Sequence, residues 1–413
     1  MPHHTASAES TGTAATRLAV RLLDAWSARP RAELAGVELP SDPGVPVLAA
    51  LLYATGDPEA ERSAARAVAV WARDAGRGPA HCGLYDGGLA GTLVGLRLGA
   101  GVHPGLTPVA DRLRDHLVRT APTLGHRRER VAFPDYDLIV GPSGTLLALT
   151  AGTSPTPAQL GPLADHLTGL CDADALPRLR TGQYAGHPNL GWLDGRINTG
   201  MGHGVAGVVT ALTAALRRLG PAPGLAPGPA PGLASALGRA TRWLVRQSFD
   251  DARSIRTWDG AGLDDAPPPA GARARQAWCY GTPGVSWALW DAADALGDRE
   301  TADWAAAAFT SLAERYDERF HLFGDRPSDL LALCHGAAGV LAVADAFARH
   351  AALPAAAALR ARLLTHLRTR LPEVAALGAT GMGLLGGAAG PLCALLTADH
   401  DAPRTWLPCL GLR

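Results

Sequence analysis

No lysine occurs anywhere in the chain: all 38 basic side chains among its 413 residues are arginine, and 38 acidic ones balance them. The formal net charge of zero leaves no electrostatic footprint for nucleic acid or an anionic membrane surface. Charge is also sparse, at 18% of residues against about 25% in ordinary soluble domains. Alongside abundant Ala, Gly and Pro, the missing lysine reflects codon composition rather than chemistry. No stretch of about 18 uninterrupted apolar residues is present, which argues against a membrane-spanning helix. The N-terminal stretch MPHHTASAESTGTAATRLAV lacks the apolar centre of a secretory signal. The six cysteines, at 82, 171, 279, 334, 393 and 409, lack the close spacing of a disulfide scaffold. Together these absences predict a soluble cytoplasmic protein. Alternation of β-branched residues is scarce too, so an extensive sheet is not expected.

What the chain does carry is glycine in register. Segments such as YDGGLAGTLVGL from Tyr85, MGHGVAGVVTAL from Met201, WCYGTPGVSWAL from Trp278 and LCHGAAGVLAV from Leu333 share a G-x-x-G step followed by small apolar residues. Six such pairs stand at 88/91, 141/144, 204/207, 281/284, 336/339 and 387/390, with 51 to 77 residues between first glycines. Each interval can hold two ordinary helices with their turns. Residues 110–121 and 302–316 show amphipathic helical spacing. Each repeat therefore reads as a helical hairpin, with glycine at the start of its small-residue helix, where a side chain would block close approach. A linear solenoid would space its repeats more evenly and end in polar caps. The expected fold is all-α: an α/α toroid over residues 1–413 as one domain, with the glycine-opened helices inside. Residues 14–76 supply two or three further helices and a candidate seventh hairpin. Two Pro/Gly-rich stretches, 220–232 and 258–274, read as loops inside the repeat array rather than as domain boundaries.

Equivalent positions of a closed array meet at one rim. Cys279 and Cys334 each precede their first glycine by two residues, and His203 and His335 each precede theirs by one. These repeats are consecutive, so their inner helices should stand roughly 8–10 Å apart. Two thiolates and an imidazole there can converge on one tetrahedral zinc. A lone cysteine in an apolar helix is more often a small core residue, but shared register on neighbouring repeats reverses that weighting. The other four cysteines read as structural; Cys82, beside His81, lies out of register. Three protein ligands leave a fourth position open, the mark of a catalytic zinc site. Such a site would hold an incoming thiol as a thiolate at neutral pH and keep it nucleophilic.

The motifs WCYG at 278–281, LCHG at 333–336 and NTGMGHGVAG at 198–207 resemble those of lanthipeptide cyclases of the LanC-like family. The resemblance runs through the chain in motif order and includes YDLIVGPSG at 136–144. It implies an α/α toroid with one zinc per chain, held by Cys279, Cys334 and His335. It implies Michael-type addition of peptide cysteine thiols to dehydroalanine or dehydrobutyrine, which forms lanthionine rings. By position, His203 matches the family's catalytic histidine, Asp137 its acidic partner, and Arg275 and Tyr280 its remaining active-site residues. A histidine suits the proton transfers that this addition needs, and an arginine can steady the enolate oxygen. Gly202 stands where the histidine motif often carries alanine, a mild departure. The expected partners are a dehydrated precursor peptide and a separate dehydratase that acts first.

Other functions meet specific obstacles. A protein prenyltransferase also presents a thiolate to zinc in a toroid, but it lacks the paired Cys-Tyr-Gly and Cys-His-Gly signature. A toroidal glycosidase needs two carboxylates at the rim, and Asp86 and Asp137 are the only candidates. A zinc protein that binds or adds glutathione-type thiols, or a non-catalytic thiol-binding scaffold, is the alternative within the same family.

Overall fold

Proline, plentiful in this chain, falls where a helix tolerates it. Pro58, Pro142, Pro157 and Pro354 each open a helix, where the missing N–H is not needed and the fixed φ suits the first turn. Asp57 strengthens one such start by accepting from the N–H groups of Glu59 and Ala60 at 2.8 and 2.9 Å. The computed structural model describes residues 5–30, 41–76, 81–152, 155–219, 230–262, 275–399 and 402–413. In chain order its helices begin with α1 (Thr5–Ala28), α2 (Gly44–Tyr53), α3 (Pro58–Asp74), α4 (Leu89–Gly99), α5 (Thr107–Thr120) and α6 (Pro142–Thr150). They continue with α7 (Pro157–Leu170), α8 (Val205–Leu219), α9 (Ala230–Arg246), α10 (Thr282–Leu296), α11 (Arg299–Arg315) and α12 (Glu318–His321). The last are α13 (Pro327–Leu331), α14 (Ala337–His350), α15 (Pro354–Thr369), α16 (Leu371–Thr380) and α17 (Ala389–Asp399).

Two kinds of helix alternate, and their side chains explain why. The helix α6 is apolar or small all round, and all of its residues from Pro142 to Thr150 are buried. By contrast α3 buries only the stripe Ala60, Ser63, Ala64, Ala67, Val68 and Trp71 and turns its charges outward. Helices of the first kind (α2, α4, α6, α8, α10, α14 and α17) pack each on the next, and α17 packs back on α2. Behind the first six stand α3, α5, α7, α9, α11 and α15, each following its inner partner in the chain. Behind α17 stands α1, from the other end of the sequence. The result is an α/α toroid, as expected, with the first and last helices closing it.

The glycine pairs act through their own preceding turns. A Cβ at Gly91, Gly144, Gly207, Gly284, Gly339 or Gly390 would lie 2.0–2.4 Å from the carbonyl oxygen of Leu84, Leu138, Met201, Trp278, Leu333 or Leu384 respectively. Those turn residues also reach the next repeat: Leu84, Leu138, Met201 and Trp278 place their own Cβ 2.8–3.3 Å from the Cβ position of Gly144, Gly207, Gly284 and Gly339. One glycine thus admits both its own turn and its neighbour's, which locks adjacent hairpins in register. Gly339→Ala is expected to destabilise the protein by about 1–3 kcal/mol, the usual cost of overpacking. Gly161→Ala in α7, where a Cβ meets nothing within 4 Å, should stabilise by about 0.4–1 kcal/mol. Urea midpoints of the two variants check this; an unshifted midpoint for Gly339→Ala would contradict the interlock.

The two loop expectations change in part. Residues 220–229 of the presumed excursion lie outside the described residues, but Ala230–Gly232 already belong to α9. As expected, the stretch 14–76 supplies three helices and a seventh hairpin, formed by α2 and α3, while α1 backs α17. Among the described residues there are four short strands: β1 (Ile197–Asn198), β2 (Ser248–Asp250), β3 (Arg256–Trp258) and β4 (Ala261–Gly262). They pair antiparallel as β1–β4 and β2–β3; the rest of the 258–274 loop, residues 263–274, lies outside the described residues. Residues 402–413 fill part of the ring's interior. There Tyr85 Oη, Trp278 Nε1 and Trp287 Nε1 donate to the carbonyls of Cys409, Leu410 and Gly411 at 2.7, 2.9 and 2.9 Å. Among the described residues no helix is long and apolar enough to cross a membrane.

Candidate active site

Each of the first six inner helices is followed by an outer one that runs back, so the inner helices begin at one rim. The turns that precede them are sewn together there by backbone hydrogen bonds. Tyr85 N–H donates to Ile139 O at 2.9 Å, Leu138 N–H to Gly202 O at 3.1 Å, and Met201 N–H to Cys279 O at 2.8 Å. The seam continues from Cys279 N–H to Cys334 O at 3.4 Å and from Cys334 N–H to Leu385 O at 3.0 Å. It ends where Leu384 N–H meets the Asp42 carboxylate at 2.8 Å, just before α2. Residues in equivalent register are thereby set side by side, which is why two cysteines 55 positions apart in the chain meet.

Cys279, Cys334 and His335 converge at this seam, with one ligand atom from each lying within 4.8 Å of the others. This group could hold a metal ion, and its donor set of two sulfurs and an imidazole suits zinc or another soft divalent cation. Cys279 is buried, whereas Cys334 and His335 are partly exposed, so the group opens toward solvent on one side. The thiol of Cys279, hydrogen-bonded to Cys334, pulls the Cys334 thiol down to about 5. Burial and the Cys334 charge push Cys279 the other way. Both cysteines also precede helix N-termini, whose dipoles favour thiolate.

His203 and Asp137 meet beside that group. His203 Nδ1 lies 2.5 Å from Asp137 Oδ2, and the His203 ring stacks on Phe133 with centroids 4.2 Å apart. Asp137 is fully buried, and its other oxygen accepts from the N–H groups of Val140 and Gly141 at 2.8 and 2.7 Å. Burial of the His203 ring lowers its pKa, but the hydrogen bond and charge of Asp137 outweigh this and raise it above that of a free histidine. Burial in turn raises Asp137. Its two backbone donors stabilise the carboxylate, so the shared proton belongs on His203. About a third of the His203 side chain is exposed, and Nε2 is the nitrogen left by the Asp137 contact.

The remaining expected residues lie around this pair. Tyr280 follows Cys279, and its hydroxyl accepts from Asn198 Nδ2 at 2.7 Å; burial raises its pKa, so the phenol stays protonated. Arg275 rests its guanidinium over Phe323, 4.3 Å from the ring centroid, and donates to Phe323 O at 3.3 Å. Its charge nevertheless acts on Cys279 and His335. Asp86 is exposed and its charge acts on His203. Cys171, Cys393 and Cys409 are buried away from this group, and burial pushes the thiols of Cys171 and Cys409 up to about 12. Sequence reasoning missed Phe133, Asn198 and Asp329, the last of which lies 3.2 Å from His335 Nδ1. Asn198 could have been found inside the NTGMGHG motif, but Phe133 and Asp329 occupy no repeat register.

A closed ring of helical hairpins with Cys, Cys and His at its rim defines an α/α-toroid class of candidate metalloprotein. The solved structure described as nisin cyclase is similar over 96% of each chain, with a TM-score of 0.75 and 20% sequence identity. No curated protein matches the chain by sequence. Residues 48–410 match the profile of the family described as lanthionine synthetase C-like protein. The chain belongs to that family.

Proposed function

We propose that this protein is a lanthipeptide cyclase that adds peptide cysteine thiols to dehydroalanine or dehydrobutyrine in a dehydrated precursor. The convergence of Cys279, Cys334 and His335 within 4.8 Å at the open rim carries the reading. Zinc held there would present a substrate thiol as a thiolate at neutral pH and would leave its nucleophilicity intact. The addition is balanced within the substrate. Sulfur bonds to the alkene Cβ, the π pair moves to the enolate, and a proton must reach Cα while the thiol proton departs.

This chain's residues fit those demands. His203, kept charged by Asp137, supplies the proton to Cα as a general acid. Arg275, whose charge acts on Cys279 and His335, and the protonated hydroxyl of Tyr280, the residue after Cys279, stabilise the enolate oxygen. Phe133 and Asp137 hold the imidazole so that Nε2 faces the reaction. A separate dehydratase supplies the dehydrated peptide, and the reaction belongs in the cytoplasm.

The simplest test uses cobalt-substituted protein and a cysteine-containing peptide. Thiol addition should raise sulfur-to-cobalt charge-transfer absorption with saturation at one peptide per metal. An unchanged spectrum would contradict the proposal. Equal turnover of free glutathione and a cysteine peptide would favour the general thiol-adding alternative.

A further inference from the structure

Only one nitrogen of His335 can face the two cysteines, and the structure fixes which one. His335 Nδ1 lies 3.2 Å from Asp329 Oδ1. A carboxylate accepts and cannot donate, so the ring proton sits on Nδ1 and the lone pair on Nε2. We infer that Asp329 is a positioning residue that sets the tautomer and orientation of His335 for metal binding, an inference that rests on the metal reading above.

The surrounding chain is built to keep that carboxylate in place. Asp329 lies in α13, whose next turns lead directly into the site: Ala332 N–H donates to Ser328 O at 3.1 Å and Gly336 N–H to Ala332 O at 3.0 Å. The second oxygen of Asp329 accepts from Arg326 N–H at 3.3 Å, which steadies it from the opposite side. Only about a fifth of the Asp329 side chain is exposed. Gly324 supplies an independent observation. Its φ is +139°, and a Cβ there would lie 2.4 Å from Asp329 Cβ and 2.7 Å from Asp329 Cγ. The loop before α13 therefore passes where any side chain would displace the carboxylate. Asp329 bonds to the outer nitrogen of the ring, so it acts through His335 and is no ligand itself.

Carboxylates in this relation to a metal-binding histidine hold the ring and raise its basicity. Their removal typically lowers metal affinity about 10–100-fold. The test is competition for zinc between a chromophoric chelator and purified wild type, Asp329→Asn and Asp329→Ala. Asp329→Asn keeps an acceptor for Arg326 N–H and Nδ1–H but loses the charge, so a smaller loss is expected than for Asp329→Ala. Asp329→Ala should bind zinc about 10–100-fold more weakly and release it faster, with the melting temperature of the metal-free protein unchanged. Affinity equal to wild type in Asp329→Ala would overturn the inference. So would weakened binding matched by a lower melting temperature of the metal-free protein, which would make Asp329 a cap of α13 and nothing more. If the wild type itself takes up no zinc, the metal reading fails first and the inference falls with it.

Discussion

With alanine at position 279, the protein is expected to lose its stoichiometric zinc and fall to the uncatalysed rate of thiol addition while keeping its helices. Cys279 is buried and its backbone N–H and O both lie in the seam that joins the turns. Alanine preserves those backbone bonds, so the loss should be chemical rather than architectural. Removing one sulfur leaves Cys334 and His335, too few to complete the three protein ligands of a catalytic zinc site. Cys171→Ala provides the control, because Cys171 is buried with its thiol held up at about 12 and lies outside the ligand group. It should keep full zinc and activity at a stability cost of about 1 kcal/mol. Elemental analysis and circular dichroism measure both variants. Full zinc in Cys279→Ala would contradict the ligand assignment.

His203→Asn is expected to separate metal binding from proton transfer. The variant should retain its zinc, since Cys279, Cys334 and His335 are untouched, yet cyclise about 10²–10⁴-fold more slowly, the usual worth of a positioned general acid. The pH profile carries more information than the rate alone. Asp137 raises the His203 pKa, and a general acid is lost as pH rises through that raised value. Asp137→Asn removes the interaction that raises it, so the alkaline limb of the rate profile should move to lower pH. A limb that stays in place would mean that another group delivers the proton. Zinc loss in His203→Asn would make His203 a ligand instead.

The ring was legible in the sequence because its constraint is local and repeated. Each second glycine must face a carbonyl from its own turn, and only six pairs satisfy that register with small apolar helices behind them. The partnership of α1 with α17 was not legible, because it joins opposite ends of the chain and leaves no glycine signature. The hairpin of α2 and α3 was similarly faint, since Gly44 stands there without a second glycine. The strands, two or three residues long, are too short for alternation to register. At the site, register found the two cysteines and both histidines, because equivalent turn positions are sewn to one another. It could not find Asp329, which reaches His335 from α13, outside the repeat. Nor could it show that Arg275 rests on Phe323, a contact between segments with no common spacing.

Catalysed thioether formation is tested most directly by incubating the zinc-loaded protein with a peptide that carries one dehydroalanine and one free cysteine, then alkylating. Addition leaves the peptide mass unchanged, so cyclisation is read as loss of the alkylated product in mass spectrometry. The account predicts that wild type removes the alkylatable thiol, while metal-free protein and Cys279→Ala leave it available. Complete alkylation after incubation with wild type that has been shown to carry zinc would contradict it.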